Sequence, residues 1–159
     1  MALGRRRGWS TKTASQDRFN RRRRTPFRRF LEGKTLCPVT IVTPPDQPYI
    51  HTFFDVSPIS PSGRYLACLR LPFEDRLPNP DDRAEVCLID LKDETVEEVA
   101  STSGWALQAG AHLAWGADDN HLYFNERDRG EVYAVEYRAD ERRFRRLEGS
   151  VYQVTRDGR

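Results

Sequence analysis

An all-β fold assembled from repeated four-stranded antiparallel units is what this sequence predicts, and three observations predict it. A turn phrase occurs twice, as Pro61-Ser62-Gly63-Arg64 near the middle and as Arg156-Asp157-Gly158-Arg159 in the last four residues. Short apolar runs, the clearest of them with a period of two, follow one another at hairpin spacing, and no segment carries a sustained helical period. Aligning the turns at Arg64, His121 and Arg159 gives separations of 57 and 38 residues. Four strands in a repeat of about 40 residues is the pattern of propeller blades. The prediction is therefore a partial β-propeller, about two four-stranded antiparallel blades plus the start of a third, behind a disordered basic N-terminal arm. A β-sandwich made from the same strands stays open, because hairpin spacing alone does not separate the two.

Charge marks the first boundary. Residues 1–35 hold 12 of the 26 Lys/Arg and 2 of the 24 Asp/Glu, so a strongly basic arm precedes a mildly acidic domain. Arg5-Arg6-Arg7, Arg21-Arg22-Arg23-Arg24 and Arg28-Arg29 repel one another and have few apolar partners, which predicts disorder. A nucleic-acid arm would set these arginines on phosphates and offer Trp9, Phe19, Phe27 and Phe30 for stacking. An export signal needs an apolar stretch after the charges, and none follows Arg5-Arg6-Arg7; the amphipathic pattern of a transit peptide is poor. The plainer reading is an unstructured extension, or upstream sequence translated from a wrongly chosen start codon.

Residues 36–56 read as an extended lead-in: Thr40-Ile41-Val42-Thr43 is a short β-branched run stopped by Pro44, Pro45 and Pro48. The blades are expected over residues 57–159, the first at 57–104, the second at 105–150 and the start of a third at 151–159. In the first, Gly63 gives the turn its backbone freedom and a strand runs from Tyr65 to Leu71. Residues 72–83, rich in proline and charge, form a solvated loop; Glu85–Leu91 and Thr95–Ala100 supply two more strands. In the second, Leu113-Ala114-Trp115 approaches a polar turn, then come His121–Asn125, Glu131–Tyr137 and Arg142–Leu147. Val151–Thr155 opens the third. The closing turn phrase stands where a strand should follow, so the chain reads as the opening blades of a larger propeller protein, marginal or self-associating alone because each blade needs neighbours.

Ser60-Pro61-Ser62-Gly63-Arg64-Tyr65-Leu66-Ala67, followed by Val86-Cys87-Leu88-Ile89-Asp90-Leu91, resembles the blade phrase of TolB-type, WD-repeat-like β-propellers, with Ser62 in place of the customary Asp. The likeness covers about residues 57–159 and implies the fold, not a chemistry. Trp105-x-x-Gln108-x-Gly110-Ala111-x-Leu113-x-Trp115 is similar to a segment of propellers related to oligogalacturonate lyases. That likeness implies a metal held by His and Gln residues of later blades, so no ligand is carried onto this chain.

The residues that could bear chemistry have plainer readings. His121 occupies the variable slot of the turn, where Arg64 and Arg159 stand; His112, beside Leu113, reads as a strand histidine; His51 has no partner in sequence. Gln108 and Trp105 could grip a sugar, but Trp105 beside Gly110 and Ala111 reads as a packing anchor. Glu74-Asp75 with Asp81-Asp82 is interleaved with Arg76 and Arg83, which suits a solvated loop better than calcium. Asp118-Asp119 is a turn signal. No GxSxG, HExxH or phosphate-cradling glycine loop occurs. The expectation is no catalytic, cofactor-binding or metal residue and no cofactor.

Cys37, Cys68 and Cys87 form no CxxC and suit a reducing, cytoplasmic setting; with no run of 18 or more apolar residues, no membrane partner is expected. The expected function is a non-catalytic scaffold for interaction or ligand presentation. Its partners would be the missing blades or a second copy, and a protein or carbohydrate ligand. Two alternatives stand beside it: the opening blades of an oligogalacturonate-lyase-like enzyme, and nucleic-acid binding through residues 1–35.

Overall fold

The structure is a computed structural model that describes residues 21–155. Eleven strands occur and, among the described residues, no helix: β1 Arg22–Arg24, β2 Arg28–Arg29, β3 Thr40–Ile41, β4 Tyr49–Ile50, β5 Tyr65–Arg70, β6 Ala84–Asp90, β7 Thr95–Thr102, β8 Ala114–Trp115, β9 His121–Asp128, β10 Glu131–Arg138 and β11 Arg143–Arg146. They make two antiparallel sheets, ordered β1-β7-β6-β5-β4 and β11-β10-β9-β8, and a small β2–β3 ladder. Apart from β1, each large sheet is a meander of consecutive strands, which short hairpins favour.

The hairpin turns carry the residues such geometry demands. Asp128 pairs with Glu131, leaving Arg129 (φ 49°) and Gly130 (φ 83°) as a two-residue turn in which both φ angles are positive. At the β6–β7 turn, the Asp90 carboxylate accepts the N–H groups of Lys92 and Asp93 at 3.0 Å each, so the side chain substitutes for water on the turn's backbone.

Alternation then decides which faces meet. Leu69, Leu71, Val86 and Val99 of the first sheet pack with Leu122, Phe124, Val135 and Tyr137 of the second; Leu113, ahead of β8, joins them. The opposite face of the first sheet, Cys68, Cys87, Ile89 and Val96, forms a separate apolar cluster covered by Phe27, Val42 and Tyr49. The opposite face of the second sheet is polar: Glu136, 4% exposed, is held by Arg145 at 2.5 Å and by the Tyr123 hydroxyl at 3.4 Å.

The N-terminal region differs from the expectation where it is described. Residues 1–20 of the basic arm lie outside the described residues. Its last stretch is no loose arm: Arg22, Arg23 and Arg24 pair with Glu97, Val96 and Thr95 along the edge of β7. Acidic neighbours remove the self-repulsion that argued for disorder. Arg22 reaches Asp90 at 3.4 Å, and Arg23 reaches Asp46 at 2.8 Å. Tyr49–Ile50, unmarked in the sequence, pairs with Leu69 and Arg70, and Val151–Thr155 forms no strand. The 72–83 loop is organised rather than merely solvated. Arg76 grips Asp82 at 2.6 and 2.8 Å and lies 3.6 Å over the Phe73 ring, while the Trp105 indole N–H donates to the Asp82 carbonyl at 2.8 Å.

Several carboxyls are held below their ordinary 3.8. Burial by itself would raise Asp90, but hydrogen bonds from Arg64 and the two turn N–H groups outweigh it; the Arg76 hydrogen bond, with the Asn79 N–H, brings Asp82 to about 2. A depressed carboxyl contributes stability above its unfolded value and loses it as pH falls through the folded one. The melting temperature is therefore expected to hold from neutral pH down to about 4 and to fall between about 4 and 2. Asp90→Asn should flatten that fall; an acid limb unchanged in this variant would show that Asp90 plays no part in it.

Candidate functional site

The two sheets are joined by contacts with a common period. The Trp115 indole N–H donates to the Pro58 carbonyl (2.9 Å), the Ser62 N–H to the Asp119 carboxylate (3.0 Å), and the Thr52 hydroxyl to the Ala109 carbonyl (3.3 Å). Each pair is 57 residues apart, so equivalent positions of the two repeats touch one another. Ile59 bridges Leu66 on the edge of β5, as Ala114 and Trp115 pair with the edge of β9.

Those first-strand segments converge on one cleft of about 600 Å³, walled by Val56, Ser57 and Ile59 from the first repeat and by Trp115 and Gly116 from the second, with Gln153 and Val154 following on. Adding the sequence spacings of 57 and 38 to Ile59 gives Gly116 and then Val154, so three equivalent positions share the wall. The wall carries no charged side chain. Asn125 fixes the last segment by exchanging two hydrogen bonds of 2.8 Å with the Val151 backbone.

Close in sequence to this wall, Tyr152 donates its hydroxyl to Asp55 at 3.0 Å, and its ring lies 5.1 Å from that of His112. Asp55 and His112 are themselves 57 residues apart in the sequence. The hydrogen bond to Asp55 raises the Tyr152 phenol above its ordinary value. His112 is not on a strand: it lies two residues before β8 with φ 52°, a left-handed conformation that sequence alternation cannot reveal.

The other sequence candidates are scattered. His121 opens β9, with Nδ1 2.6 Å from Asp118 and Nε2 3.8 Å from Glu136. The hydrogen bond from His121 holds the Asp118 carboxyl below its usual range. His51 is exposed, and its carbonyl comes so near Gly110 that a Cβ there would sit at 3.0 Å. Trp105 is buried against Phe73, and Gln108 is exposed in a turn. Among the described residues no three His, Cys, Asp or Glu side chains are placed to share a metal ion, and no helix is long and apolar enough to cross a membrane.

No protein-family model and no curated protein matches the chain. Among solved structures, TolB from Acinetobacter baumannii, a β-propeller protein, superposes with a TM-score of 0.53 at 18% identity, over 80% of this chain and 28% of that one. The fold is TolB-like. The two large sheets are thus TolB-like blades, and the β-sandwich that strand spacing left open is set aside. The sequence reading missed this site because its members, Trp115 beside Gly116 among them, share neither residue type nor charge and are related only through the repeat offset.

Proposed function

We propose that the chain is a non-catalytic β-propeller scaffold segment that presents the cleft between its first-strand segments to a ligand. The observation that carries this reading is the convergence of Ile59, Gly116 and Val154, equivalent in three successive repeats, on one uncharged wall. A wall in which Val56, Ile59 and Trp115 alternate with the polar side chains of Ser57 and Gln153, and which carries no charge, is suited to a neutral ligand able to hydrogen-bond, since ligand sites combine apolar lining with placed polar groups. It offers no countercharge to a polyanionic sugar, and Asp55 near it would repel one. A protein segment without net charge is therefore the preferred occupant, and the lyase-like alternative gains no support from the wall. A reducing, cytoplasmic setting belongs to the same reading, supported by three cysteines that form no disulfide.

The test is a titration of the isotope-labelled full chain with a pool of neutral hexapeptides and, separately, with trigalacturonate, followed by backbone and indole resonances. Peptide-dependent shifts centred on Ile59, Trp115 and Gly116 are the expected result. Shifts produced by trigalacturonate alone, or peptide shifts confined to other surfaces, would overturn the proposal.

A further inference from the structure

We propose that the tip of the β2–β3 hairpin, residues 30–39, is a membrane-contact element that seats its apolar side chains in a bilayer bearing anionic lipid. Arg28 pairs with Ile41 and Arg29 with Thr40, and the Phe30 N–H donates to the Val39 carbonyl at 3.0 Å. Beyond that rung the Lys34 N–H donates to the Leu31 carbonyl at 2.8 Å, with Leu31 at φ 42° and Gly33 at φ 75°. The tip therefore has a defined turn of its own. At the root, Phe27 and Val42 pack on the apolar cluster of the first blade. The hairpin is anchored at its base, while every residue of the tip except Thr35 is exposed.

The tip shows water what a folded chain ordinarily hides. Phe30 is 44% exposed, Leu31 53% and Val39 38%, and Leu36 is wholly exposed. Four of the nine large apolar side chains exposed among the described residues thus fall within ten positions. Three of the four, Phe30, Leu36 and Val39, line one cleft of about 280 Å³. Exposed apolar residues scattered singly are ordinary, but a patch of them marks a surface that meets something other than water.

Charge and shape choose the occupant. Arg21, Arg24, Arg28, Arg29 and Lys34 are exposed and, among the described residues, in no ion pair, whereas Arg22 and Arg23 meet carboxylates. Glu32 is the one acidic residue between positions 21 and 34. Cations beside an apolar tip complement an anionic surface with an apolar interior, and each cation held there strengthens binding about fivefold. Nucleic acid would answer the charge but not the tip, because bases stack on aromatic rings and Leu31, Leu36 and Val39 are aliphatic. A protein partner needs a matched surface of about 20–30 residues a side, well beyond this tip. Lipid chains conform to any apolar projection. Such a contact lies in the interface and crosses nothing, so the lack of a long apolar run does not bear on it.

Cys37, exposed beside Leu36, serves as a reporter, because Cys68 and Cys87 are 2% and 0% exposed. The experiment uses the full chain with an environment-sensitive nitrobenzoxadiazole label on Cys37. It is mixed with vesicles of phosphatidylcholine alone or of phosphatidylcholine and phosphatidylglycerol in equal parts, and sedimentation of the unlabelled chain measures binding. The anionic vesicles should bind about tenfold more strongly or better, with label emission shifted to the blue. Leu31→Asn with Leu36→Ser should weaken binding about tenfold or more, asparagine being at ease in the left-handed backbone of position 31. The melting temperature should stay within about 2 °C of the parent, since neither leucine is buried. Arg28→Gln with Arg29→Gln should also weaken binding about tenfold or more. Binding without the blue shift, or binding kept by the leucine variant, would put the contact elsewhere in the chain and overturn the proposal. Equal binding to both vesicles, or binding to neither, would overturn it as well. A blue shift produced by duplex DNA and not by vesicles would assign the tip to nucleic acid instead.

Discussion

Gly104→Ala is expected to lower the melting temperature by about 10 °C, on the order of 3 kcal/mol in a chain of this size. Gly104 lies just beyond the end of β7, where the backbone of β9 passes closest. A Cβ at this position would stand 2.7 Å from the Glu126 carbonyl carbon and 2.8 Å from the carbonyl carbon and oxygen of Asn125. All three neighbours are main chain inside a paired strand, so none can swing aside as a side-chain tip would. The blades must separate, and separation loosens the apolar contact of Val86 and Val99 with Leu122 and Phe124. Gly63→Ala provides the control: no atom lies within 4 Å of its added methyl group, but its φ of +79° makes the cost conformational, about 1 kcal/mol. Thermal melts of both variants decide the matter. A Gly104→Ala chain that melts no lower than Gly63→Ala would show that the blades are not held at this spacing.

Glu126→Ala should cost a similar amount, for an electrostatic reason. One carboxylate oxygen accepts the Thr102 hydroxyl at 3.1 Å, the Ser103 N–H at 2.9 Å and the Arg127 N–H at 2.9 Å; the other meets Arg83 at 2.7 Å. The Glu126 side chain is 14% exposed, so truncation strands donors at the seam between blades, with an expected loss of about 3 kcal/mol. Arg83 is 49% exposed, and Arg83→Ala should cost less than about 1 kcal/mol because water screens and replaces that partner. If the two alanine variants lose equal stability in denaturant melts, the ion pair rather than the hydroxyl and N–H donors dominates the seam.

These sites show where the sequence was legible and where it was not. β5, β6, β10 and β11 were readable within one or two residues, because alternation or an apolar run survives wherever one face of a strand is buried. β9 extends three residues past Asn125, into Glu126-Arg127-Asp128. Its inward position there is a glutamate facing hydroxyls, which no hydrophobic pattern can mark. β1 was misread for a related reason: three arginines look self-repelling until Asp46, Asp90 and Glu97, each distant in sequence, are beside them. The cleft wall was legible only as spacing. The offsets of 57 and 38 are readable from the turns alone, but a row of Ile59, Gly116 and Val154 has no shared residue type to announce it.

The contacts between equivalent positions carry a direction. The Trp115 indole N–H donates a hydrogen bond to the Pro58 carbonyl, and Pro58, which has no N–H, donates none in return. Each such joint has two unlike halves, so a row of units built on it has a head and a tail, and the chain can be followed around its arc in one sense only. The carbonyl equivalent to that of Pro58 in the second blade is that of Trp115, 57 residues on. Thirty-eight residues beyond Trp115, at the offset that relates the second turn to the third, the sequence carries Gln153, whose side-chain amide has N–H donors.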